Sequence, residues 1–353
     1  MKEPLKIDDP SYLEQLKSIK LYPNHLHWDG SIPADYIMEL SRRRDRKILL
    51  PLEDIEGWPI KYDSEEERAI TDAESLSRFQ KNLRQYRMFD VFRPALMFMQ
   101  TKEDLIDMAV FLTDYLRSRN IYKCETRFAP QFHLEEGLDP DRVIGYAIEG
   151  FKKGFEKNGV GVKLIISVDR SSDVSVTSKI IDAALHFPGD VVGVDLACEE
   201  RGNPPEKHYE AFKKTFDSPL KRTYHAGEMC SEEENLKNIH TCLTLMRADG
   251  IGHAIPLWRG YYKTHDLFEL MRKNNVRLES NPVSNYNFFI EKISDLHLDI
   301  LIKNGILVTI NPDDPAMWEF GDPVYPLYFT GMLYGPEFVM RVLENAWKTA
   351  FGD

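Results

Sequence analysis

Short runs rich in β-branched residues alternate along the chain with segments of helical apolar spacing. That alternation argues for a parallel sheet joined by helical crossovers. Eight runs are readable: HLHWDG around 25–30, YKCETRFA at 122–129, VKLIISVD at 162–169, VVGVDLA at 191–197, RTYHAGE at 222–228, GIGHA at 250–254, VRLES at 276–280 and ILVTIN at 306–311. Between them, Ser231 and Glu234 form a capping box ahead of Leu236, Ile239, Leu243 and Met246. Thr101 and Asp104 repeat the pattern in a looser form before Leu105, Ala109, Leu112 and Leu116. Both apolar stripes read as core faces. Residues 45–99 break the alternation: PLEDIEGWPIKYD reads as loop, and the next stretch places Leu76, Phe79, Leu83, Tyr86 and Phe89 on one helical face.

The chain of 353 residues could hold two average domains or one large barrel. The eight runs decide between them. The expected fold is α/β, a (β/α)8 TIM barrel spanning 1–353 as a single domain, with a helical insertion at 45–99 after strand 1 that packs over the barrel mouth.

Charge narrows the function. A formal net charge of −12 argues against a nucleic-acid partner, which needs clustered Lys and Arg. The one basic cluster, RRRDRK at 42–47, reads as a solvated helix end. The cysteines Cys124, Cys198, Cys230 and Cys242 form no C-x-x-C pair, and the opening MKEPLKIDDP lacks the apolar core of a signal peptide. No apolar run approaches the ~20 residues of a membrane helix. The expectation is an unprocessed, reduced, cytoplasmic protein with no membrane partner.

The candidate chemistry starts at PNHLHWDGSI, where His25, His27 and Asp29 occupy alternate positions and would project from one face of an extended backbone. A polar surface strand would read the same way, so further ligands must come from elsewhere. Barrel enzymes carry their chemistry at the C-terminal ends of the strands. There the fifth run offers His225 and Glu228, the sixth His253, and the eighth Asp313 and Asp314. Three histidines and one of the paired aspartates suit a zinc site, which takes about three protein ligands or more and keeps a place for water. Gly227 permits a positive-φ turn, so His225 can face a metal while Glu228 turns toward a substrate. Adjacent aspartates in extended backbone point opposite ways, so one would bind the metal and the other hold its water.

The ordered motifs HLHWDGSI, ETRFAP, VDLACEE, HAGE, GIGHA, ESNPVSN and TINPDDP, between about residues 21 and 320, closely resemble the adenosine deaminase family. The resemblance implies a zinc-dependent barrel enzyme, one Zn2+ per chain, that replaces a purine 6-amino group with oxygen. Its small-molecule partner would be adenosine or deoxyadenosine, converted to inosine or deoxyinosine with release of ammonia. By resemblance His25, His27, His225 and Asp313 match the zinc ligands. Glu228 matches the residue that protonates the ring nitrogen, and His253 and Asp314 match the pair that positions and activates water. Asp29 matches a sugar-hydroxyl contact.

Two departures bear on substrate choice. Cys198 stands where the family usually has a glycine whose amide faces the purine, and GHA replaces the commoner GHG. Cys198 reads as a small buried hydrophobe rather than a nucleophile, because Glu199 and Glu200 would oppose a thiolate. The stretch ERGNPPEKHYEAF also resembles adenine deaminases. Free adenine and a modified nucleoside such as aminofutalosine are therefore alternative substrates, and a non-catalytic binding relative is the rival class. His186, His208, His240, His265 and His297 read as surface or packing residues, while His133 lies nearer the mouth.

Overall fold

The computed structural model describes residue 2 and residues 4–352. Its central sheet has eight strands: β1 (Leu26–His27), β2 (Lys123–Phe128), β3 (Gly161–Asp169), β4 (Val191–Ala197), β5 (Lys221–Ala226), β6 (Gly250–His253), β7 (Arg277–Ser280) and β8 (Leu307–Ile310). They lie side by side in chain order, each parallel to the next. A parallel bridge between Leu26 and Asp313 brings the chain after β8 back to β1, where the His27 N–H donates to the Asp313 carbonyl at 2.8 Å. The sheet is thus curled into the expected α/β barrel.

The strands carry the apolar runs because they are covered on both faces; every residue of β4 is buried. Both N-cap side chains act as read, Ser231 as the forward half of its capping box. Thr101 Oγ1 accepts the Asp104 N–H at 3.2 Å at the head of the helix Lys102–Ser118, and Ser231 Oγ accepts that of Glu234 at 3.4 Å before Glu232–Thr244. Leu105, Ala109, Leu112 and Leu116 all lie in the core.

The 45–99 segment departs from one continuous helical face. Ile48–Leu49 pairs antiparallel with Ala69–Ile70. The helix Ala73–Gln80 ends in a turn, in which the N–H groups of Gln85 and Tyr86 both bond the Asn82 carbonyl, and a second helix starts at Met88. Leu76, Phe79 and Tyr86 are buried while Phe89 remains 45% exposed. That break is what turns Met88, Phe89, Phe92 and Leu96 toward the cavity at the strand ends. None of the described helices is long and apolar enough to cross a membrane.

Candidate active site

At the C-terminal ends of the strands, β1 with the residue before it, the end of β5 and the turn after β8 bring His25, His27, His225 and Asp313 together, with ligand atoms within 4.8 Å of one another. The alternation argument holds for the two histidines and stops there. β1 is two residues long, and Asp29 belongs to the 3-10 turn Asp29–Ser31. The expectation of an extended Asp313–Asp314 pair is likewise corrected: Asp313 has φ 63°, and this left-handed turn lets both carboxylates line one cavity. Gly30 makes room for the second of them, since a Cβ there would lie 1.8 Å from Asp314 Oδ1. Gly227, at φ 84°, turns the chain between His225 and Glu228 as its residue type implied.

The hydrogen bonds of the two deepest histidines set their tautomers. His25 Nδ1 donates to Glu279 Oε2 at 2.9 Å, and His225 Nδ1 donates to Asp195 Oδ1 at 3.1 Å. Each Nε2 is left with a lone pair aimed at the same place. His25 Nε2 faces Asp313 Oδ1 at 3.0 Å, and both atoms are buried without a hydrogen-bond partner. His225 Nε2 lies 3.2 Å from His27 Nε2. Burial pulls His27 down from its ordinary pKa, and the same cause lowers His225, so both stay neutral. Asp313 is held well below the usual carboxylate range: burial works against this, but the rings of His253, His25 and His27 outweigh it.

Lone pairs that face one another with no proton between them need a cation. The charges beneath the histidines lead to the same requirement. Glu125, Asp195, Glu279 and Asp313 are four buried carboxylates set against two guanidiniums, Arg127 and Arg277, which leaves two negative charges without a counterpart. Three imidazole nitrogens and one carboxylate oxygen fit a divalent ion of the zinc type.

Glu228, His253 and Asp314 stand beside this cluster. Glu228 Oε1 is 3.3 Å from His253 Nδ1, and the side-chain amides of Asn281 and Asn285 bracket the His253 ring at 3.2 and 2.8 Å. Burial, then the nearby Asp313 and Glu200 carboxylates, push Glu228 well above the ordinary glutamate range, the direction a proton donor near neutral pH needs. Burial lowers His253 and keeps its ring neutral. Asp314 is raised well above its ordinary value by burial and by the neighbouring Asp313. Asp29 is raised to about 6, chiefly by burial, against the N–H of Gly30 that bonds its carboxylate.

The cavity over these groups has a volume of about 730 Å³ including its open mouth. Its outer wall is apolar, with Phe89, Phe92, Phe132, Phe288 and Trp318, and no described lysine or arginine lines it. Cys198 is part of the wall. Burial, then Asp169 and Asp29, raise its thiol well above the ordinary range. A thiolate is therefore opposed as expected, though by other groups than the two expected: Glu199 turns outward to Arg201 at 2.7 Å, and Glu200 is bonded to the N–H groups of Gly227, Glu228 and Met229. Cys198 has φ 71° and Ala254 φ 43°, so both departures from the family pattern fall where glycine is the easier residue. His133 is fully buried, its Nδ1 3.0 Å from the Met99 carbonyl, and is not among the cavity-lining residues. His208 is also a core residue, bonded through Nδ1 to Thr177 Oγ1 at 2.8 Å.

Residue-by-residue reading missed the carboxylates inside strands. Glu279 and Asp195 orient the two deepest histidines, and Arg127 joins them, at 2.8 Å from Glu279 and 3.2 Å from Asp195. Their signal was present: a charged residue in the middle of a buried run must have a partner.

A parallel eight-stranded barrel with a buried His/Asp cluster at its strand ends defines the class as a barrel hydrolase. The family model described as adenosine deaminase matches residues 21–353, and the chain belongs to that family of hydrolytic deaminases. An adenosine deaminase of Clostridium acetobutylicum is 29% identical over 340 residues, covering 96% of this chain and 95% of that protein. Solved structures give the same fold. An adenine deaminase from Arthrobacter aurescens is 21% identical with a TM-score of 0.74, covering 94% of each chain. A Burkholderia ambifaria amidohydrolase with bound Zn is 17% identical with a TM-score of 0.76, covering 99% of this chain and 90% of that one. The Arabidopsis ADAL protein complexed with GMP is 18% identical with a TM-score of 0.76, covering 96% and 94%.

Proposed function

We propose that the protein is a zinc-dependent deaminase of an uncharged 6-aminopurine nucleoside, adenosine or deoxyadenosine, acting as one barrel domain. His25, His27, His225 and Asp313 would hold the zinc. The observation that carries this is the convergence of their ligand atoms within 4.8 Å of one another beside Glu228, whose pKa burial raises, at the floor of one cavity. When bound, the metal supplies the acidity that makes water a nucleophile at neutral pH.

The residues divide the remaining work. His253, neutral and bracketed by two asparagines, and Asp314 hold the water against the 6-carbon, and its proton leaves toward His253. Glu228 gives its proton to the adjacent ring nitrogen as the carbon–oxygen bond forms. The carbon–nitrogen bond then breaks as the proton taken up by His253 passes to the amino group, which leaves as ammonia; the new hydroxyl returns a proton to the Glu228 carboxylate, and the ring becomes an oxopurine. The apolar collar keeps bulk water out.

Substrate choice within the family rests on the wall. A phosphate calls for cationic or backbone donors, and no described lysine or arginine lines the cavity. That favours a nucleoside over a nucleotide such as the one in the ADAL complex. Asp29, buried in the wall, supplies an acceptor for a sugar hydroxyl, which free adenine would leave unmatched. The test is loss of 6-aminopurine absorbance, with ammonia release, across adenosine, deoxyadenosine, adenine, AMP and aminofutalosine. The two nucleosides should turn over with kcat/KM at least about tenfold above the rest. A preference for adenine or AMP would overturn the nucleoside assignment, and inactivity on all five with zinc bound would overturn the reaction.

A further inference from the structure

We infer that Glu200 is a positioning residue for Glu228, fixing the turn that presents the acid to the ring. This rests on the reading of Glu228 as the proton donor. Glu200 lies three residues beyond β4, is 3% exposed and does not itself line the cavity. Its carboxylate accepts three successive backbone N–H groups across the cavity. Gly227 donates to Oε1 at 2.9 Å, and Glu228 and Met229 donate to Oε2 at 3.0 and 3.1 Å. The Asn238 side chain, on the helix Glu232–Thr244, adds a bond to Oε1 at 2.9 Å. Both oxygens therefore accept two bonds each, the full capacity of an ionised carboxylate.

Behind it stands Arg170, whose Nη1 is 3.8 Å from Glu200 and whose Nη2 donates to the Leu196 carbonyl at 2.9 Å and to the carbonyl of His225. One buried pair thus ties the ends of β3 and β4 to the turn carrying both His225 and Glu228. No other carboxylate can replace it there, because the neighbouring Glu199 is spent on Arg201 at the surface. A glutamine at 200 would keep the shape but present an NH2 to N–H groups that need an acceptor. A misplacement of about 1 Å at the reacting groups can cost on the order of a hundredfold.

The test is a double-mutant cycle on the zinc-loaded enzyme, with single-turnover rates, KM and metal content measured for wild type, Glu200→Gln, Glu228→Gln and the double variant. Glu199→Gln is the surface control. Glu200→Gln should lower the rate about tenfold or more with metal content unchanged and KM within about threefold. In the Glu228→Gln background the same change should cost less than about twofold, since the residue it positions is already disabled. If Glu200→Gln does not fold, Asn238→Ala, which removes one support of the carboxylate, should show a smaller loss with the same non-additivity. Equal fold-losses in both backgrounds, loss of metal in step with activity, or a near-native Glu200→Gln rate would each overturn the inference. A near-native Glu228→Gln single variant would instead remove the reading of the acid itself, and the inference with it.

Discussion

Both ends of the barrel bury polar and charged groups, and they arrange them in opposite ways. At the N-terminal end, Arg277 reaches Glu279 at 2.8 Å, pairs with Glu125 and donates to the Thr349 carbonyl at 2.8 Å. The Phe351 N–H closes the remaining side of Glu125, and the Phe351 ring lies 3.5 Å from the guanidinium. At the C-terminal end, His25 Nε2, Asp313 Oδ1 and Asp314 Oδ1 are buried without hydrogen-bond partners. Cys198, His253, Ala254 and Asp313 all take left-handed backbone there. The lower end gives its charges partners within the barrel, with Glu279 reaching up to His25; the upper end leaves atoms open for something that binds. Strain and unsatisfied groups gathered at one end mark where the fold gives up stability for chemistry.

Removing the metal should break the comparison most completely. Chelation should abolish deamination, and restoring about one zinc per chain should restore it, because under the proposed function His25, His27, His225 and Asp313 would be its ligands. Metal analysis that finds a stoichiometric pair would refute the mononuclear site.

Glu228→Gln should keep the zinc and lower kcat by on the order of a hundredfold or more, as a general acid contributes ~10²–10⁴. Glutamine can hydrogen-bond the ring nitrogen but has no proton to give. A near-native kcat would move the acid elsewhere.

The lower end should respond in stability instead. Arg277→Met leaves Glu125 and Glu279 buried without their guanidinium, a change worth about 3–5 kcal/mol. Denaturant unfolding should show that loss, while the folded fraction keeps its KM. A large rise in KM at unchanged stability would mean that the two ends are not separable.

The smallest effect concerns the strained wall. Cys198→Gly should leave zinc content unchanged and relieve a left-handed residue, raising stability by up to about 1 kcal/mol. By opening space beside the base it should also shift the adenosine-to-adenine kcat/KM ratio at least about tenfold. An unchanged ratio would place substrate selection elsewhere on the wall.

The sequence by itself carried the strand count, the barrel and the residues gathered at the site. Period-two and period-3.6 patterns survive in any one chain, and histidines or carboxylates at the ends of apolar runs have few other uses. It also carried Gly227, because a residue without a Cβ announces the turn that needs it. Three things became visible only in the tertiary structure. The first is which strand-buried charges meet: Glu279, Asp195 and Arg127 come from three strands, and their pairing follows from barrel closure, which brings together residues more than sixty positions apart. The second is the backbone at Cys198, Ala254 and Asp313, where neighbouring strands impose a left-handed conformation that none of these side chains favours. The third is the state of the acids. Asp313 and Asp314 are chemically identical and adjacent in the chain, yet their surroundings move them in opposite directions: Asp313 is held well below the usual carboxylate range against its burial, while burial and then the neighbouring Asp313 push Asp314 well above it.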